Sequence, residues 1–410
     1  MGRYHMWTGR VSGLTLLCSA LAGTSLTAQQ TIRDSAGVRI VESRAPHFSA
    51  ADRFWQVSAK PSLEIGRAEG EDAYLFTSVV GIVSFSDGSI AIAEGRAAEI
   101  RLFDLTGKHL VTTGRSGAGP GEFRDLRGMW RFRGDSLLAF DNVQQKVQVF
   151  DSKGHYVRDF RLNVRLDYAR FHYLADLHHV LGVTTDGDIV VETPHAVPRT
   201  VPTGPTYATT TLLRFDALGV GPDTLVTVPV QWLQIRSATP VVGTSALFTT
   251  APIPAIAQEK VFSGTGDRPE VRRYSAAGRL EAIYRWNSPL VSVEAPHVAQ
   301  ERDRRLALLP SPSTRSRMLE ILDQSPVPAT FPAYIRLLPD RIGNLWLEGS
   351  TIPGTTQPVW TVLDAEGRWL GAIRLPAGLR PYEITDQHVL GVLKDQDGVP
   401  RVQRYHLQKG

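Results

Sequence analysis

The side chains best suited to chemistry are few. His172, His178 and His179 in FHYLADLHH form the only histidine cluster. Zinc catalysis needs three converging protein ligands and an open position, often with a carboxylate to activate water. Adjacent His178 and His179 on a strand point to opposite faces, so at most one of them joins such a site, with Asp176 or Glu383 contributing from elsewhere. Ordinary hydrogen-bonded histidines are the simpler reading, and no metal site is assigned. GRSGAGPGEF (114–123) has the glycines and the arginine, Arg115, of a phosphate cradle, but lacks the following Lys-Ser/Thr and leads into a strand. A structural crossing loop is expected, with Arg115, Glu122 and the equivalent Arg67 near a channel mouth. No G-x-S-x-G elbow and no H-E-x-x-H is present. Trp130, Trp346, Trp360 and Trp369 fall at strand positions and are read as packing.

What positions these residues is a repeat. Residues 85–110 and 132–157 align without a gap, Phe85 with Phe132, Phe103 with Phe150, Asp104 with Asp151 and Gly107 with Gly154. A period of about 47 residues with several short strands matches propeller blades. The alternation in Glu99 to Phe103 and in Lys146 to Phe150 buries one strand face. Weaker copies follow at 186–219, 258–286, 343–375 and 388–407. The last lacks a fourth strand, and SLEIGRAEGEDAYLF (62–76) resembles the outer-strand segment 109–123. A strand from the N-terminal end that completes the last blade removes an exposed edge. The expected fold is all-β: a six-bladed β-propeller of four-stranded antiparallel blades, closed in this way. A seventh blade is possible if 225–255 or 290–335 conceals one.

Two insertions stand out, TPHAVPRTVPTGPTYATTT (193–211) and the stretch from Ser288 to Pro332. The second predicts two helices, the first entering through Pro296 and the next through an SPST cap. Arg302, Arg304, Arg305, Arg315 and Arg317 would face either solvent or, if the helices cap the channel, an anionic ligand; solvent is the plainer reading.

Arg3 and Arg10 ahead of VSGLTLLCSALAG form an export leader, with cleavage after Ala28 expected. Lipidation at Cys18 is disfavoured because Leu17 precedes it, and the mature chain then has no cysteine. The formal charge of +4 falls when Arg3 and Arg10 are removed, which leaves no nucleic-acid footprint. The expected organisation is a leader over 1–28, a lead-in over 29–54 and one propeller domain over 55–410. A periplasmic or extracellular monomer with no membrane span after leader removal follows.

GRSGAGPGEF, the x-D-G turn and the third strand ending in F-D-x-x-G resemble the NHL-type repeat. With the lead-in DSAGVRIVES (34–43), the chain resembles exported bacterial six-bladed propellers of that superfamily. The resemblance implies the fold but not an activity, since such rings serve as binding scaffolds, signalling modules, lyases and lactone hydrolases. The favoured function is a non-catalytic exported protein binding a peptide, glycan or protein at the channel mouth, through Arg67, Arg115, Glu122, His178, Arg302 and Arg305. The alternative is a lyase or lactone hydrolase using a divalent cation; no cofactor is otherwise expected. Three or four convergent Asp, Glu, Asn or His side chains in the channel would favour the enzyme, and an apolar or arginine-lined channel without such a cluster would rule it out.

Overall fold

The computed structural model describes residues 30–44, 54–174, 178–238, 241–249, 252–353, 355 and 357–409. The leader, its cleavage position, Cys18 and Asp176 lie outside the described residues.

The chain is all-β and dominated by antiparallel sheets. Among the described residues the strands form five hydrogen-bonded sheets, of six, four, seven, nine and four strands, and runs of four antiparallel strands within them are described here as units. Unit one is Val79–Ser84, Ile90–Glu94, Glu99–Phe103 and His109–Thr113; unit two is Leu126–Arg131, Leu137–Asp141, Lys146–Phe150 and Tyr156–Arg161. Unit three is His179–Val183, Ile189–Glu192, Gly204–Phe215 and Asp223–Ala238; unit four is Ala255–Ala257, Lys260–Ser263, Glu270–Tyr274 and Leu280–Trp286. Unit five is Arg336–Pro339, Leu345–Glu348, Trp360–Leu363 and Trp369–Ile373. Unit six has three consecutive strands, Arg380–Ile384, His388–Lys394 and Pro400–Gln408, and its fourth is Leu63–Ile65, paired as Leu63 with Arg404, Glu64 with Gln403 and Ile65 with Val402.

The first strands of units one and two, two and three, three and four, four and five, and six and one lie against each other. Between units five and six, Arg336 Nη2 donates to the Pro381 carbonyl at 2.7 Å. The cores lie between adjacent units: Val83, Ala91, Ile100, Leu137 and Phe150 fill one such layer. Trp346 and Trp360 are fully buried, and Trp55 meets Trp346 edge-on at 5.6 Å, so these tryptophans are packing residues.

The F-D-x-x-G signature is a local turn device. Asp104 Oδ1 accepts the backbone N–H groups of Thr106 and Lys108 at 2.9 and 3.0 Å, and Gly107 supplies the required φ of +86°. Asp151 repeats the pattern with Lys153 and His155, and Asp364 with Glu366 and Arg368.

Three features go beyond the repeat. The hairpin Gln30–Ser35 and Val38–Ser43 extends unit four, its second strand running parallel to Leu280–Trp286 from Arg39 against Ala282 to Ser43 against Trp286. Phe54–Val57 joins units five and six, parallel to the first and antiparallel to the second. The third and fourth strands of unit three outrun their sheet as a ribbon joined by Phe171–Tyr173, Ala196–Pro198 and Val241–Ser245. The stretches 225–255 and 290–335 thus supply this ribbon, the start of unit four's approach and two helices, α1 (Ala295–Ala307) and α2 (Pro312–Gln324), rather than another four-stranded unit. Pro296 opens α1, and Ser311 caps α2 by accepting the Thr314 N–H. Among the described residues no helix is long and apolar enough to cross a membrane.

Candidate functional site

A cavity of about 890 Å³ lies among the first strands of units two to six, with Trp130, Leu181, Ala255, Leu337 and Tyr382 in its wall. First strands are apolar by default, because one face meets each neighbouring unit, so charged residues on them need partners. Among the charged residues that break the default, two arginines line the cavity, Arg336 at the start of unit five's first strand and Arg380 at the start of unit six's.

Arg336 stands opposite Glu348 in the antiparallel register, with Nη1 3.9 Å from Oε2, and its guanidinium lies 5.9 Å from the Trp360 ring centre. Burial lowers the pKa of Arg336, and the positive charge of Arg380 lowers it further. Burial raises the Glu348 pKa against the opposing pull of Arg336 and Arg380. Arg380 sits 5.3 Å from the Tyr382 ring centre, and Tyr382 is fixed by donating its hydroxyl to the Val79 carbonyl at 2.6 Å. Arg380 is exposed and has no hydrogen bond or ion pair among the described residues. Two guanidinium groups thus face the cavity with one carboxylate, which suits an anionic group better than a cation.

The other end of these strands is charge-balanced. The Ser84 N–H donates to Glu383 Oε2 at 2.8 Å, Arg341 pairs with Glu383 and donates to Ser84 Oγ, and Arg131 pairs with Asp135 and donates to the Ser84 carbonyl. Burial, then the charge of Arg341, lowers the Arg131 pKa. Two arginines and two carboxylates from units one, two, five and six knit that end together.

The binding residues expected from sequence, Arg67, Arg115, Glu122, His178, Arg302 and Arg305, lie elsewhere, and none of them lines this cavity. Arg67 stacks 4.5 Å from the Tyr74 ring centre. Arg115 Nε donates to Glu122 Oε1 at 2.8 Å, and Glu122 Oε2 accepts the N–H groups of Ala118 and Gly119 at 3.0 and 2.8 Å. The Gly119 N–H, then Arg115, hold the Glu122 carboxyl below its ordinary value. Gln148 donates to the Glu122 carbonyl at 2.7 Å, so the GRSGAGPGEF loop is a self-satisfied crossing held to unit two. His178 is buried beside Phe140 with Nε2 unpartnered, and burial, then His179, lowers its pKa to about 4. Arg302 pairs with Asp323 across α1 and α2, and Arg305 Nε donates to Glu301 Oε1 at 2.6 Å one turn away. Those helices bind their own charges, and neither contributes to the cavity wall. Among the described residues, no group of three or more His, Cys, Asp or Glu is placed to hold a metal ion.

Arg336, Arg380 and Glu348 were missed because they come from different repeats. One signal was present: Arg336 and Arg380 occupy the start of the inner strand in successive copies, where the first copy has Val79 and the second Leu126.

No protein-family profile matches the chain, and no curated protein matches it. Solved structures align at low identity. An exported protein from Bacteroides fragilis is 12% identical, with 90% of this chain and 99% of that one covered and a TM-score of 0.48. A member of the DUF4221 family from Bacteroides vulgatus is 8% identical, with 88% and 100% covered and a TM-score of 0.48. Virginiamycin B lyase from Staphylococcus aureus is 11% identical, with 84% and 98% covered and a TM-score of 0.39.

Proposed function

We propose that the chain is an exported six-bladed propeller, one domain closed by Leu63–Ile65, which binds a carboxylate-bearing ligand in its channel without transforming it. The cyclic order of first strands and the pairing of Leu63–Ile65 with Pro400–Gln408 support the closed ring. The N-terminal leader pattern supports export.

The observation that carries the binding function is the exposed, unpaired Arg380 beside Arg336 in a cavity of about 890 Å³. A planar guanidinium is matched to a carboxylate by two parallel N–H bonds, and the low-dielectric wall strengthens them. Trp130 and Tyr382 give the body of the ligand apolar and aromatic surface. A peptide C-terminus or an acidic sugar has this combination. The metal-dependent alternative lacks a ligand set among the described residues.

Calorimetry of the mature protein against short acidic and neutral peptides and uronic-acid oligosaccharides tests the proposal. Acidic members should bind, Arg380→Gln should weaken them about tenfold or more, and chelation should leave binding unchanged. Equal binding of amidated or reduced analogues that lack the carboxylate would overturn it.

A further inference from the structure

A second cavity, of about 440 Å³, lies between the ribbon of unit three and the loop joining the second and third strands of unit four. Tyr207 and Trp232 face each other directly in the ribbon's antiparallel register, so both project from one face. The opposite face is committed to its own core of Val197, Ala208, Leu233 and Ile235. The aromatic face instead lines the cavity, with Leu290 and Pro328 among the other lining residues.

The polar groups here are arranged around one carboxylate. Asp267 Oδ2 accepts the Tyr207 hydroxyl at 2.7 Å, and Oδ1 accepts the Thr265 hydroxyl. Arg268, whose side chain is 79% exposed, reaches Asp267 Oδ2 at only 4.0 Å and keeps donors free for a ligand. Burial, then Asp267, raises the Tyr207 pKa to about 12, so its hydroxyl remains a donor at neutral pH. A smaller cavity of about 290 Å³ shares Tyr207, Thr265, Asp267 and Arg268 and includes Ser263 in its lining. Ser263 is 2% exposed, and its hydroxyl has no hydrogen-bond partner. In that cavity Glu270 is already paired with Arg272 at 3.1 Å.

We infer that this cleft binds a neutral oligosaccharide, stacked on Trp232 and Tyr207 and hydrogen-bonded through Asp267, Arg268 and Ser263. A pyranose offers an apolar C–H face to an aromatic ring and an edge of vicinal hydroxyls to a carboxylate and a guanidinium side by side. The charges pair off locally, which favours a neutral ligand over an acidic one, and the two cavities sharing residues favour a chain of sugars over a single ring. The aromatic wall alone would also suit a proline-rich peptide, but an unpartnered buried hydroxyl and a carboxylate–guanidinium edge are not what such a peptide, poor in donors, satisfies.

The test is calorimetric titration of the mature protein with a panel of neutral hexasaccharides of glucose, xylose, mannose and N-acetylglucosamine, together with decaproline. At least one hexasaccharide should bind. Trp232→Ala and Asp267→Asn should each weaken it about tenfold, Trp232→Phe should retain most of the affinity, and Arg380→Gln should leave it unchanged. Matched thermal melts establish that the variants are folded. The inference is overturned if no hexasaccharide binds at about 10 mM, if Trp232→Phe and Trp232→Ala both bind as the parent does, or if decaproline is bound in preference.

Discussion

If Leu63–Ile65 closes the ring, its removal from the core should weaken the whole molecule. Ile65 is 1% exposed and packs with Phe76, Ile82, Ile90, Phe103, Leu390 and Val402, side chains of units one and six together. The strand also meets unit one's turn, where a side chain at Gly107 would lie 3.2 Å from Ile65 and 3.0 Å from Leu63. Ile65→Ala removes buried carbon from this junction and should cost about 3 kcal/mol. The control is Ile32→Ala, on the strand Gln30–Ser35, where the side chain is 46% exposed and the expected loss is within about 0.5 kcal/mol. Equilibrium urea unfolding, followed by tryptophan fluorescence and far-UV circular dichroism, compares the two. With a denaturant slope of about 3 kcal/mol per molar, Ile65→Ala should lower the midpoint by about 1 M in both signals. The same reasoning makes deletion of residues 62–66 far more damaging than trimming the chain ahead of Asp34. Equal midpoints for Ile65→Ala and Ile32→Ala would refute the closure.

His178 should make stability acid-sensitive. Its folded pKa of about 4 lies below the ordinary value of 6.5, so as pH falls the unfolded chain takes the proton first. This contribution is fully present above about pH 6.5, declines between 6.5 and 4, and is constant below; at about 1.4 kcal/mol per pH unit it amounts to roughly 3 to 4 kcal/mol. Urea midpoints at high and low ends of that window should converge for His178→Gln relative to the parent, and parallel pH slopes would count against a neutral buried imidazole. Gly278 probes the packing of unit four on unit three: it has φ +72°, and a Cβ there would lie 1.6 Å from the Leu225 carbonyl oxygen, whereas Gly398 has φ +79° and open space around it. Gly398→Ala should cost only the left-handed backbone penalty of about 1 to 2 kcal/mol, and thermal melts should show Gly278→Ala substantially worse; similar losses would argue against that close approach.

What was legible in the sequence is what is local or repeated. The Asp104 turn could be read because its carboxylate bonds within four residues, and the strand around Leu63 because Gly66-Arg67 copies Gly114-Arg115. The helices were legible from Pro296 and the Ser311 cap, but their charges were not: Arg302 and Arg305 are used by Asp323 and Glu301 on the same helical pair. The addition of Val38–Ser43 to unit four was invisible, since parallel pairing with residues near 282 leaves no turn to mark it. Arg336 and Arg380 were equally hidden, because each is a single residue at the start of its first strand and no local motif marks it.

The direction of the strands then sorts the loops, turns and charges between the two ends of the units. In each antiparallel unit the first and third strands both oppose the second and so run the same way, and the tight Asp-x-x-Gly turns after the third strands lie at the end where the first strands finish. That end also carries the balanced Ser84, Arg341 and Glu383 network. The long crossings that carry α1 and α2, and the unit-four loop around Asp267, belong to the opposite end, where the first strands start. Arg336 and Arg380 are at those starts. Arg336 and Arg380, the elongated loops and the second cavity are therefore assembled on one end of the units, and short satisfied turns on the other. A carboxylate approaching the balanced end meets arginines already neutralised by Glu383 and Asp135; approaching the loop-bearing end, it meets Arg380 with donors free. Under the proposed function, this electrostatic asymmetry makes that end the route by which an anionic ligand would enter.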